Sequence, residues 1–201
     1  MSAPLAVAGP TVSLRYATEA DAPRLLELAS VEAVTRWFSW GPYSVVGEAD
    51  VYIRALPARR EAGDLLDFMI EHTEHGVIGV TGLSEVAVGD RRATVGTWLG
   101  RPYWGSGANA ESKALIGALA FGPLGFERLT AWTNARNLRS QRALERVGYR
   151  REGVLRAWQR IAGEPQDVCV YGLTREQFLA SGAAAVASEV TGDPPAAFVV
   201  A

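Results

Sequence analysis

Gly105 and Gly107 stand where a short apolar segment hands over to a helix, and that junction limits the fold more than any other feature of the chain. Val95 to Leu99 is apolar, β-branched or aromatic, which predicts a strand; Gly100 and Pro102 break it. From Ala108 onward Leu115, Ile116, Leu119 and Ala120 recur at helical spacing. The first turn of a helix carries amides with no intrahelical partner and about half a positive charge. Glycines without Cβ let the preceding loop take positive φ and approach an anion closely. A strand, an anion-binding turn and a helix are therefore expected, with a plain turn containing two convenient glycines as the rival reading. There is no G-x-x-x-x-G-K-[ST], and G-x-G-x-x-G would need glycine where Ala110 stands. The missing loop lysine speaks against a nucleotide-hydrolysing or kinase function.

With 201 residues, 48% of them hydrophobic, the chain can build one domain with a real core. A net charge of −2 offers no general attraction for nucleic acid or anionic lipid. Cys169 lies between Val168 and Val170, so buried packing is its expected role; one cysteine and two histidines, His72 and His75, assemble no metal site. No basic leader with an apolar core and no run of membrane-spanning length is present, which predicts a soluble cytoplasmic protein with no membrane partner.

Along the chain, residues 1–10 read as a flexible leader and Thr11 to Tyr16 as a strand with Val12, Leu14 and Tyr16 on one face. Thr18 and Asp21 open a helix in the manner of a capping box. A second helical piece runs from Glu48 to Glu61. The intervening loop carries Trp37, Phe38, Trp40 and Tyr43, which either cap the core or line a substrate cleft. Leu65–Glu71, Gly76–Leu83 and Arg91–Leu99 form an antiparallel meander that leads into the glycine turn. Arg128 to Thr133 is a further strand, set parallel to Val95–Leu99 by a right-handed crossover. Asn137 starts a helix that Gly148 ends. Gly153–Ile161 and Asp167–Leu173 make a hairpin, and residues 181–201, rich in Ala, Gly and Pro, are expected to be disordered.

This order of elements resembles the GNAT N-acetyltransferases, and so do the local words. They are Leu14-Arg15 with Asp21, Gly96-x-Trp98-Leu99 before Tyr103-Trp104-Gly105-x-Gly107, Asn137-x-x-Ser140, and Leu144-Glu145-x-Val147-Gly148-Tyr149 with Arg151-Glu152-Gly153. They look like the branch of ribosomal-protein acetyltransferases of the RimJ/RimL type. The resemblance implies an α/β (α+β) fold over residues 11–180: a mixed central sheet of about six to seven strands, splayed between two parallel central strands and flanked by about four helices. It implies acetyl-CoA as co-substrate, no metal, and an amine-bearing acceptor. The coenzyme would be held by Trp98, Leu99, Arg101, Trp104, Gly105, Ser106, Gly107, Ala108 and Asn109, together with Asn137 and Ser140. Trp37, Trp40 and Tyr43 would face the acceptor. The family's loop begins with Gln or Arg where this chain has Trp104 and closes with Asn109, but the backbone cradle needs only amides and Gly107.

Acetyl transfer to an amine requires a neutral amine, a donor for the developing oxyanion and a proton for the departing thiolate. Many relatives supply that proton from a tyrosine where this chain has Leu144. By resemblance Ser140 takes its place, with Asn137 capping the helix and bonding the pantetheine arm; both are also ordinary helix-start residues. Glu71, Glu85 and His72 are candidate bases, none assigned. An α-amine of pKa near 8 is roughly one-tenth neutral at pH 7, whereas a lysine amine is neutral in about one molecule in several thousand, so a weak base suits an α-amine. Arg139, Arg142 and Arg146 form one helical stripe, either a solvated face or a grip on the coenzyme 3′-phosphate. The expected function is transfer of an acetyl group from acetyl-CoA to a primary amine by direct attack in a ternary complex. A protein N-terminus is the leading acceptor, the alternatives being a small amine or antibiotic, or a non-catalytic acyl-CoA sensor. A homodimer through the last hairpin is compatible with this reading.

Overall fold

A computed structural model describes residues 3–200. Its elements are β1 (Ala6–Ala8), β2 (Val12–Arg15), α1 (Ala22–Ala29), α2 (Glu32–Thr35), α3 (Val46–Glu61), β3 (Leu65–His72), β4 (Gly76–Ala87) and β5 (Arg92–Leu99). There follow α4 (Ala108–Phe121), β6 (Arg128–Asn134), α5 (Leu138–Arg146), β7 (Arg150–Ile161), β8 (Glu164–Thr174), α6 (Arg175–Leu179) and β9 (Glu189–Thr191). One open sheet takes the order β7-β8-β6-β5-β4-β3-β2-β1-β9.

The parallel pair is β5 and β6, and they are joined only at Arg92–Thr94 against Arg128–Thr130. Beyond those residues β5 stays with β4 as far as Leu99, and β6 stays with β8 as far as Asn134. The two strands therefore part, and the facing backbone edges of residues 95–99 and 131–134 are left without a ladder. Buried peptide groups are costly without partners, so the sheet can open here only if something polar enters the gap. Under this opening runs α4, whose Leu115, Ile116, Leu119 and Ala120 are fully buried. Cys169 is buried, as expected.

The sheet has nine strands because both ends of the chain join it. Val7 pairs with Val190, placing β1 and β9 at the edge beyond β2. Over residues 3–10 and 181–200 this corrects the expected flexible leader and disordered tail; residues 1, 2 and 201 lie outside the described residues. Leu5 and Val7 are buried, and Phe198 is 0% exposed within the main core. Single apolar residues among alanines and prolines carry no periodicity, yet each fills a hollow and the strands saturate one another's edge.

At the start of α1, Arg15 binds both oxygens of Asp21 at 2.8 and 2.9 Å and both oxygens of Glu71 at 3.0 Å. Asp21 also accepts the Thr18 amide at 2.8 Å. Burial pushes the Asp21 carboxyl up, but the Arg15 guanidinium and the Thr18 amide and hydroxyl outweigh it and hold it below the usual carboxylate range. Since the folded-state value is depressed, the stabilisation is complete above the unfolded carboxylate value of about 4 and is lost as pH falls through the folded one. Asp21→Asn is expected to cost about 1–3 kcal/mol at pH 7, with wild type and variant converging near pH 2 in urea unfolding. A gap that persists unchanged in acid would rule out the charge as its source.

Candidate active site

The parting of β5 and β6 opens a cavity of about 520 Å³. At its mouth Gly105 and Gly107 take φ of +83° and +95°, and Gly107 stands as the residue before α4. Among the described residues the amides of Gly105, Ser106, Gly107 and Asn109 have no acceptor, while that of Ala108 takes Ser106 Oγ at 3.3 Å. A Cβ on either glycine would meet nothing within 4 Å. The glycines thus serve backbone conformation, and the space in front of the amides is open.

Trp104, in the place where Gln or Arg is usual by resemblance, has a defined task. Its indole N–H donates to the Leu99 carbonyl at 2.8 Å, bracing the end of β5. The guanidiniums of Arg139 and Arg101 lie 3.4 and 4.6 Å from its ring centroid. With Arg36 and Arg136 they line a second hollow of about 390 Å³ that adjoins the first. Burial and the neighbouring Arg101 lower the Arg139 value, a sign of positive charge packed without a counter-ion.

Across the opening, Asn137 caps α5 by accepting the Ser140 amide on its Oδ1 at 3.2 Å. Trp98, Leu99, Trp104, Asn137 and Ser140 all line the cavity, as do Gly105, Gly107 and Asn109. Leu144, which occupies the tyrosine position, lines it too. Arg101 lines only the adjoining hollow, and Ser106 and Ala108 line neither. Of the aromatic loop, Trp37 and Phe38 reach the cavity. Trp40 and Tyr43 do not: Trp40 packs edge-on against Trp98 at 5.7 Å and against Tyr43 at 5.5 Å. Both stand behind Trp98 and do not line the cavity. The arginine stripe divides, with Arg139 and Arg146 on the cavity and Arg142 exposed away from it.

Of the candidate bases, Glu71 is locked on Arg15. His72 stacks on His75 at 4.7 Å and accepts the Glu74 amide. Glu85 is the one carboxylate that lines the cavity among the described residues. It sits in the bulge of β4 at φ +48°, where its Oε2 accepts the Thr94 hydroxyl at 2.7 Å. Sequence reasoning assigned nothing to Lys113, which lines the same cavity and is 8% exposed. Two signals pointed to it: it is the sole lysine of the chain, and it follows Asn109 by one helical turn. No group of His, Cys, Asp or Glu is placed to hold a metal among the described residues, and no helix is long and apolar enough to cross a membrane.

Two parallel strands part over a helix N-terminus with free amides, an opening that suits an extended ligand bearing an anionic group. The acetyltransferase (GNAT) domain profile matches residues 11–150, and the chain belongs to that family. It is 28% identical over 163 residues to the uncharacterized N-acetyltransferase YoaA of Bacillus subtilis, covering 81% of this chain and 92% of that one. Mycobacterium smegmatis RimJ, solved in complex with CoA-disulfide, shares the fold with a TM-score of 0.79 at 24% identity, over 90% of each chain. The microcin C7 self-immunity acetyltransferase MccE, solved with acetyl-CoA and AMP, shares it at 0.74 and 18% identity, over 82% of this chain and 92% of that one.

Proposed function

We propose that this protein is an acetyl-CoA-dependent N-acetyltransferase of the RimJ/RimL type, acting on a primary amine, with a protein N-terminal α-amine as the leading acceptor. The observation that carries the reading is a single cavity that joins the free amides at the α4 N-terminus, the unladdered edges of β5 and β6, and the Asn137–Ser140 helix start. A diphosphate fits the amides of Gly105 to Asn109, and the arginines on Trp104 add positive charge beside them. An extended arm carrying its own amides fits between the parted strands, whose edge groups would otherwise lack partners.

Acetyl-CoA would supply an activated thioester, and the chain's groups do the rest. The β5 edge fixes the arm, Ser140 Oγ presents a hydroxyl towards the departing sulfur, and Asn137 holds that helix start in place. Glu85 gives the cavity a negative group suited to attract an ammonium and, through water, to accept a proton. A carboxylate is a weak base, so a weakly basic α-amine is favoured over a lysine side chain as acceptor. The four arginines around the adjoining hollow favour a second reading, a small acceptor that carries an acidic group.

Thiol release from acetyl-CoA against a panel of N-terminal peptides, acidic and basic small amines and amino acids tests the proposal, with acetyl-CoA affinity measured by calorimetry. Release with one class identifies the acceptor, and absence of acetyl-CoA binding would overturn the reading. Ser140→Ala is expected to lower turnover about tenfold while leaving acetyl-CoA affinity within twofold. Equal turnover would remove Ser140 from the chemistry.

A further inference from the structure

Every residue of β3 from Leu65 to Ile70 is buried except Asp67, which is half-buried. A carboxylate in the middle of an inner strand is unusual, and this one is only half partnered. Its Oδ2 accepts the hydroxyl of Tyr52 from α3 at 2.6 Å, while its Oδ1 accepts no hydrogen bond among the described residues.

Two glycines fix where that free oxygen stands. A Cβ on Gly82 would lie 1.9 Å from Asp67 Oδ1, so the carboxyl occupies the space of a missing side chain. Gly82 pairs with Asp67 on one side and with Gly96 on the other. Gly96 is exposed in mid-strand, lines the cavity, and would meet nothing within 4 Å with a Cβ of its own. Opposed Cβ positions lie about 4.5–5.5 Å apart, which sets Oδ1 roughly 4–7 Å from the Cβ position of Gly96, across open space. Asp67, Gly82 and Gly96 alternate with Phe68, Leu83 and Val95, which belong to the core shared with α4. The three therefore share the opposite face, where Met69, Val80 and Trp98 pack with Ala49 and Ile53 of α3.

The cavity passes through the sheet where β5 and β6 part: Val95, Thr97 and Lys113 line it on the α4 side, and Thr94, Trp98 and Trp132 on the α3 side. Positive groups, the amides before α4 and the arginines beside Trp104, gather at the loop and helix ends that frame the gap. The carboxylate stands on the α3 face, next to the aromatic side chains of Trp98 and Trp132. A carboxylate beside aromatic rings is the surrounding that an ammonium favours. We propose that Asp67 is the anchor for the acceptor's amine, its Oδ1 receiving the ammonium through the opening over Gly96 while Tyr52 holds the carboxyl in place. This rests on the acetyl-CoA reading above and gives its second reactant an entry from the face opposite α4. Burial pushes the Asp67 carboxyl up to about 6, against the pull of the Tyr52 hydroxyl and the Arg59 charge, so it is anionic at neutral pH.

Alaninamide and propionamide, which differ only in the amine, test the anchor without requiring turnover. In saturation-transfer titrations of the CoA complex at pH 7, alaninamide should bind wild type at least about tenfold tighter than propionamide, and Asp67→Asn should reduce that preference to about threefold or less. Gly96→Val, which leaves Asp67 in place and fills the opening, should reduce it likewise; urea unfolding confirms that each variant is folded. Equal affinities in wild type, or a preference that survives in either variant, would overturn the proposal. Loss confined to Glu85→Gln would assign the amine to Glu85 and overturn it as well. Calorimetry with acetyl-CoA separates the two readings: no coenzyme binding would sink the acetyltransferase proposal, whereas coenzyme binding without an amine preference would sink the anchor alone.

Discussion

Phe198→Ala is expected to destabilise the fold by about 3–5 kcal/mol, the cost of removing a fully buried aromatic ring and leaving its cavity. The ring is 0% exposed and belongs to the same core cluster as Phe126 and Leu124. The rest of the tail is held by smaller contacts: Val186, Val190, Val199 and Val200 pack half-buried against the core, the Val200 amide donates to the Leu124 carbonyl at 2.9 Å, and Val190 pairs with Val7. Ala197 lies close against Gly63, where a Cβ would come to 3.2 Å of it. Without the ring these smaller contacts must offset the entropy of ordering the segment alone, so β9 is expected to loosen from the edge of β1. Urea unfolding measures the loss. A difference below about 1 kcal/mol would show that the tail packs without stabilising the core.

The same segment shows what was legible in the chain and what was not. Elements specified locally were readable: the meander, the glycine turn, the capping box at Thr18 and Asp21, the Asn137 cap and the crossover that makes β6 parallel to β5. Each rests on a period, a cap or a chirality rule that a dozen residues express on their own. The ends were not readable, because Leu5, Val7 and Phe198 act through hollows made by distant elements and a stretch of alanine and proline advertises no strand. The candidate site divides the same way. Amide geometry at Gly105–Asn109 follows from the strand-to-helix handover, whereas Trp104 became a brace and a platform for two guanidiniums only once Leu99 and Arg139 were placed around it. Trp37 and Trp40 are three residues apart in one loop, yet one lines the cavity and the other backs Trp98. Lys113 looked like any charged helix residue until the parted strands put its second turn beneath the opening.

Gly107→Val is expected to weaken acetyl-CoA binding at least thirtyfold, about 2 kcal/mol, and with it to remove turnover at ordinary coenzyme concentrations. At φ +95° and ψ −25° Gly107 holds a conformation that a β-branched residue adopts only at a cost of about 1–3 kcal/mol. Space is not the obstacle, since a Cβ there meets nothing within 4 Å. The chain would relieve the strain by turning residue 107 towards negative φ, and the peptide planes on either side would rotate with it. The amides of Gly107 and Asn109 would then no longer converge on one point, and the diphosphate would lose directed donors at the positive end of α4. Ser106→Ala is the matched control. It removes only a hydroxyl that bonds the Tyr103 carbonyl at 3.0 Å and the Ala108 amide at 3.3 Å, leaves both glycines as they are, and should change affinity less than threefold. Calorimetry with acetyl-CoA on both variants, with circular dichroism to confirm that each is folded, decides the matter. Equal loss in the two would assign the effect to general loosening of the loop, and retained affinity in Gly107→Val would place the diphosphate elsewhere, with the arginine hollow beside Trp104 as the site to examine next.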